Sequence, residues 1–149
     1  EQGVMVVAAV GNDYQKRVKN FPASSPHVIA VGSYYHNFSE AGTDWTLSDF
    51  SNMGYADNPK VEHFRFLGYE STKRDFNSWL FKPDLVAPGE RVVACSQHCS
   101  WVNGSSYAAA LAVGALASRL SQEPQMSREN LVNWFKEATC RPQLCLAHF

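Results

Sequence analysis

An α/β fold with a parallel sheet and a buried central helix is what this 149-residue sequence predicts. Three observations lead there. Val4 to Val10 is an unbroken apolar run, and Val28-Ile29-Ala30-Val31-Gly32 is a second. Strands apolar at every position, rather than at alternate ones, are typical of sheets covered on both faces, which are usually parallel. The third is the stretch from Ser105 to Ala117, rich in Ala and Leu, free of proline and apolar on every side. Such a segment reads as a helix in the interior rather than on the surface. Apolar strands alternating with a buried helix belong to the α/β class.

Each element has local punctuation. The first run stops at Gly11-Asn12-Asp13, a turn signal, and a polar loop leads to Pro26 and the second run. Ser33 to Phe81 is aromatic, polar and irregular, broken by Gly42, Gly54, Pro59 and Gly68, and is expected to form loops and short antiparallel strands. Leu85-Val86-Ala87 reads as a strand closed by Pro88-Gly89, and Arg91 to Ala94 as another short one. In the Ala-rich helix, Gly114 is read as a point of close packing. A last helix is predicted over Ser127 to Ala138, with Ser127 as N-cap and Met126 packing onto Leu131. Leu131, Trp134, Phe135 and Ala138 would form its apolar stripe.

Composition excludes several classes. Thirteen Lys and Arg against fourteen Asp and Glu give a net charge of −1, which argues against a protein that binds nucleic acid by clustered positive charge. Four Trp, six Tyr and nine Phe, with 45 % apolar residues, are too many for a disordered chain. No run of about 18 apolar residues offers a spanning helix. The four cysteines fall into the close pairs Cys95/Cys99 and Cys140/Cys145. These allow disulfides in an exported protein, free thiols or, with His98 between the first two, a zinc site of unusual spacing.

Two groups of residues could carry chemistry. Gly104-Ser105-Ser106 opens the Ala-rich helix, where backbone N–H groups lack intrahelical partners and the helix dipole is positive. A serine there could attack a carbonyl beside a ready oxyanion site; the ordinary alternative is that Ser105 or Ser106 caps the helix. Asn12 ends the first apolar strand, on the side where open α/β sheets collect their ligands. Its amide could donate to a developing negative charge, or bond its own backbone in a turn.

The order of these pieces resembles the subtilisin-like serine proteases, the subtilase family. Val4 to Asn12 resembles the strand and turn carrying that family's oxyanion Asn, and Phe21 to Ser33 its proline-containing loop and following strand. Ser48-Asp49-Phe50-Ser51-Asn52-Met53-Gly54 is similar to its Ser-x-Phe-Ser-x-x-Gly turn. Lys82-Pro83-Asp84-Leu85-Val86-Ala87-Pro88-Gly89 is similar to its Lys-Pro-Asp-hydrophobic-x-Ala-Pro-Gly element, and Asn103-Gly104-Ser105-Ser106 to its Asn-Gly-Thr-Ser motif. The resemblance implies an incomplete three-layer fold made by residues 1–138, the C-terminal portion of a peptidase domain, with an insertion at 55–80 and a tail at 139–149. It implies Ser106 as nucleophile and Asn12 as oxyanion donor. Ala8, Ala9, Val10, Gly11 and Gly104 would line the substrate site. A peptide or protein substrate and an exported location are implied too, with no catalytic cofactor and with structural calcium allowed but specified by no carboxylate cluster.

The departures are as informative. Ser105 stands where Thr is usual, Tyr107 where Met is usual, and Ala110-Leu111 where Pro-His is common. The family's Asp-[Ser/Thr]-Gly and His-Gly-[Thr/Ser] elements are absent, as is its Ser-x-Gly substrate-pairing strand. None of His27, His36, His63, His98 and His148 is followed by Gly. Since Ser needs a His to take its proton and the His needs a carboxylate to orient it, the resemblance implies that an upstream portion of the same domain supplies both, and that this chain alone is inactive. Asp13 is read as a loop residue. Trp45, Tyr55, Phe64, Phe66, Tyr69, Phe76, Trp79 and Phe81 are expected to pack the insertion onto the body. Asn37-Phe38-Ser39 and Asn103-Gly104-Ser105 match the glycosylation pattern, the second inside the presumed site. Two other readings stay open: a non-catalytic subtilase-like binding module, and an anion-binding α/β protein using the helix start.

Overall fold

A computed structural model describes residues 4–14, 17–37, 44–56 and 81–139 of the chain. The proposed insertion lies largely outside these residues, as do most of the aromatic stretch, the tail from residue 140 and the Cys140/Cys145 pair. The elements are β1 (Val6–Ala9), β2 (Arg17–Val18), β3 (Val28–Asn37), β4 (Asp44–Leu47), β5 (Gly54–Ala56), β6 (Phe81–Lys82), β7 (Leu85–Pro88), β8 (Val92–Cys95), β9 (Cys99–Val102), α1 (Ser105–Gln122) and α2 (Arg128–Thr139).

β3 is the spine. β1 pairs with it in parallel along Val28–Val31, and β7 in parallel along Val31–Tyr34. Val31 faces both Ala9 and Leu85, so β1 and β7 occupy opposite edges of β3. β4 pairs antiparallel with the far end of β3, from Tyr34 to Asn37. The small parallel sheet is thus the predicted one, and β3 runs five residues past the predicted strand end because β4 continues its pairing.

Alternation along the strands separates two cores. Ile29 and Val31 of β3, with Leu85 and Ala87 of β7, pack against Ala108, Ala112 and Leu116 of α1 and Leu131, Val132 and Phe135 of α2. Val7 of β1 joins this side. Ala8, Val10 and Ala30 face the other way, onto Val18 and Ala23.

Two burial expectations need correction. β1 is not covered throughout: among the described residues it pairs only with β3, and Val6 is 44 % exposed. α1 buries a single stripe, Ser105, Ala108, Ala112 and Leu116, and leaves Tyr107, Leu111 and Val113 exposed, Leu111 at 49 %. Among the described residues the sheet and α2 supply the packing of the buried stripe. Gly114 does not mark close packing among the described residues either, because a Cβ there would meet none of their atoms within 4 Å.

α2 begins as predicted. The Asn130 N–H donates to Ser127 Oγ at 3.2 Å, an N-cap, and Met126 packs on the cluster containing Leu131. Ala138, however, is exposed, and Val132 takes the buried place instead. β8 and β9 form a hairpin that sequence reasoning saw only in its first strand, with Cys95 and Cys99 joined in a disulfide opposite one another. That settles this pair against both zinc and free thiols.

A buried charged cluster fastens α2 to the sheet. Lys82 Nζ, fully buried, donates to Asp84 Oδ2 and to the Val28 carbonyl. Asp84 Oδ2 also accepts the Ala30 N–H at 2.7 Å, and Oδ1 accepts Arg128 Nη2 at 3.2 Å. Burial pushes the Lys82 ammonium below its ordinary 10.5; Asp84 opposes that shift and Arg128 adds to it. The unfolded chain then holds this proton more tightly than the folded one. Lys82 therefore makes the fold more stable as pH rises from the lowered value to 10.5.

Replacing Asp84 leaves Lys82 buried without a counter-charge, the costly way to break such a pair. Asp84→Asn in the intact protein is expected to lower the unfolding free energy by about 3 kcal/mol, measured by chemical denaturation, and Lys82→Met by clearly less. A larger loss from Lys82→Met would contradict this account.

Candidate active site

The end of β1 and the start of α1 meet through two hydrogen bonds that run in opposite directions. The Ser105 N–H donates to Asn12 Oδ1 at 2.8 Å, and the Gly11 N–H donates to Ser105 Oγ at 3.2 Å. Ser105 is fully buried at the first position of α1. Since Asn12 Oδ1 must accept from Ser105, the amide cannot be turned over, and Nδ2 is left as the group able to donate to a ligand. Asn12 is exposed.

This geometry overturns both ordinary readings of the sequence. Neither serine caps α1; the N-cap is Gly104, with no side-chain cap bond. Asn12 does not close its own turn but bonds a residue 93 positions away. The Tyr107 and Ala108 N–H groups both point to the Gly104 carbonyl, and Ser105 N–H is used by Asn12. Among the described residues this leaves the Ser106 N–H as the first-turn amide without an acceptor, on an exposed serine at the positive end of an 18-residue helix.

Glycines make the close approaches. Gly11 has φ of +101°, and a Cβ on it would come within 2.6 Å of Asn52 Nδ2 and 2.9 Å of Asn20 Nδ2. Gly89 accepts the Gly104 N–H at 2.7 Å, and a Cβ there would lie 2.5 Å from Ser33 Oγ and 2.7 Å from the Gly104 carbonyl. Asn103 Oδ1 accepts the Arg91 N–H at 2.7 Å. The two residues preceding Ser105 are therefore tied to the corner after β7.

The remaining residues singled out by the sequence fall into place around this junction. Val10 is fully buried and Ala8 packs beside it, so their side chains belong to the core. Ala9 and Gly11 are half-buried, and a Cβ on Gly104 would sit 3.4 Å from Asn12 Nδ2. Asp13 is a loop residue whose Oδ2 accepts Asn52 Nδ2 at 3.0 Å. His27 precedes β3 at the end paired with Val6, opposite the end of β1 that carries Asn12. His98 is exposed at the tip of the β8–β9 hairpin.

Two contributors had no sequence signal. Asn52 occupies a variable place in its motif, and Ser33 is the last residue of a strand motif. Ser33 is buried, its N–H donates to Ser51 Oγ and its hydroxyl bonds Ser48 Oγ, seating the 48–54 turn on β3. Among the described residues no group of three or more His, Cys, Asp or Glu side chains could hold a metal, so no residue is assigned to the calcium that the resemblance allows.

A serine at a helix start, bonded to an asparagine beyond the carboxyl end of a parallel strand, belongs to an α/β fold. The sequence profile of the peptidase S8 or subtilase family matches residues 1–142, and the chain belongs to that family. It is similar to the solved prenylagaramide maturation protease PagA, at 25 % identity and a TM-score of 0.52, over 83 % of this chain and 34 % of that one. Sphericase matches at 24 % identity and 0.60, over 91 % and 39 %. The S41 psychrophilic protease matches at 22 % and 0.61, over 91 % and 40 %. The chain thus spans well under half the length of these relatives, whose fold it shares in part.

Gly11→Ala combines a left-handed backbone with a contact no Cβ tolerates. It is expected to lower the unfolding free energy of the intact protein by about 1–3 kcal/mol. A change below about 0.5 kcal/mol, the size of an ordinary surface substitution, would contradict the geometry at the end of β1.

Proposed function

We propose that residues 1–149 supply the nucleophile and the oxyanion hole of a serine endopeptidase whose Asp and His lie in a segment outside this chain. The observation that supports the reading is the Ser105 N–H bond to Asn12 Oδ1, which holds the Asn12 side chain at the start of α1, one residue before Ser106. In the proposed reaction, Ser106 Oγ attacks the carbonyl carbon of a peptide bond while its proton passes to the histidine. The carbonyl oxygen becomes an anion within reach of Asn12 Nδ2 and the Ser106 N–H. Collapse breaks the C–N bond, the leaving amine takes the proton from the imidazolium, and water then hydrolyses the acyl-enzyme by the same route. The backbone of Ala8, Ala9, Val10 and Gly11, with Gly104, would form the substrate-facing walls.

The bare surfaces support a missing portion of the same domain. Among the described residues β1 pairs with β3 alone, and α1 shows Tyr107, Leu111 and Val113 on a helix apolar all round. A strand laid along β1 and a body packed on α1 would give both the burial that their sequences suit. An oxidising compartment, and so export, is proposed from the exposed Cys95–Cys99 disulfide, since such bonds persist poorly in a reducing cytosol. No helix among the described residues is long and apolar enough to cross a membrane.

Kinetics of the intact protein test the roles. Ser106→Ala should reduce peptide hydrolysis to background. Asn12→Ala should lower kcat about 10²–10³-fold with KM nearly unchanged, the size known from removal of the corresponding donor in subtilisin. Residues 1–149 alone should hydrolyse nothing. An Asn12→Ala effect confined to KM would remove the oxyanion role.

A further inference from the structure

We propose that Asn52, braced by Asp13, is a positioning residue for the oxyanion donor Asn12; this rests on the serine-peptidase reading above. Asn52 is only 1 % exposed and lies 40 positions from Asn12, on the turn that Ser48 and Ser51 anchor to Ser33 of β3. Its Oδ1 accepts the Asp13 N–H at 3.0 Å, and its Nδ2 donates to the Val10 carbonyl at 3.2 Å and to Asp13 Oδ2 at 3.0 Å. Its backbone N–H donates to the Gly11 carbonyl at 3.1 Å, and two residues earlier the Phe50 carbonyl accepts the Tyr14 N–H at 3.1 Å. The backbone is therefore gripped at residues 10, 11, 13 and 14, on both sides of Asn12.

The chemistry requires asparagine. One buried side chain must accept from an N–H and donate to a carbonyl that face it together. Aspartate lacks the donor, leucine lacks both groups, and serine is too short to reach both partners. Two residues in the gripped segment hold backbone angles that few side chains adopt: Gly11 at φ +101° and Tyr14 at φ +57°. Strain of that kind persists only where the surroundings over-determine it. The Asn52 amide also lies directly against Gly11, in the space a Cβ would fill.

Asn52 holds the bend that carries Asn12 rather than supplying a donor to the carbonyl, so the dependence of its effect on Asn12 separates positioning from general support of the fold. Asn52→Ser in the intact enzyme should lower kcat about tenfold with KM nearly unchanged. In an Asn12→Ala background the same substitution should change kcat less than twofold, because the donor it positions is gone. Asp13→Ala, an exposed site that will fold, should show the same dependence on Asn12 with a kcat loss of a few-fold. An equal fold-loss of kcat in both backgrounds, for either variant, overturns the proposal and makes Asn52 a structural residue only; so does unchanged kcat in the wild-type background. If Ser106→Ala retains full activity, the peptidase reading itself fails, a result distinct from either of these.

Discussion

The junction between β1 and α1 depends on a reciprocal exchange of hydrogen bonds, Ser105 N–H to Asn12 Oδ1 and Gly11 N–H to Ser105 Oγ. Each bond satisfies a backbone amide at the end of an element that secondary structure leaves unpaired. The same exchange decides which amide atom of Asn12 is free. A hydroxyl at position 105 is needed for one half of it, which explains why serine can stand there in place of threonine without disturbing the arrangement. Ser106, exposed, sits one residue along, outside the exchange.

Buried polar groups hold the two ends of this exchange in register. On the strand side, Ser33, Ser48, Ser51 and Asn52 are all buried, and they stack the 48–54 turn on β3 so that it reaches the Gly11–Asp13 bend. On the helix side, Gly89 carries the Gly104 N–H, with no room for a side chain. The charged cluster of Lys82, Asp84 and Arg128 pins β3, β7 and α2 together at the opposite end of the sheet, near the Val28 carbonyl. Charged residues are 18 % of the chain, low for a globular protein, and part of that share serves inside the fold rather than on its surface.

Much of this was legible in the sequence. The parallel strands, the Ala-rich helix and the Ser127 cap follow from apolar runs and cap chemistry, which act over a few residues. The roles of Ser105 and Asn12 are not local. A serine before a helix looks like a cap and an asparagine after a strand like a turn residue until the two are brought together across 93 positions. Asn52 carries no signal at all, since a single buried amide among turn residues has no periodicity. The apolar faces of α1 and β1 were legible in a different sense. Leu111, Val113 and Val6 suit a burial that the described residues do not provide, and there pattern and structure differ.

The proposed reaction turns on one atom, Ser106 Oγ. The most direct measurement is to treat the intact protein with a fluorophosphonate and locate the adduct by peptide mass mapping. The account predicts a single stoichiometric adduct on Ser106, with Ser105 unmodified because it is buried and its oxygen accepts the Gly11 N–H. An adduct on Ser105 or on another serine, with Ser106 untouched, would contradict it.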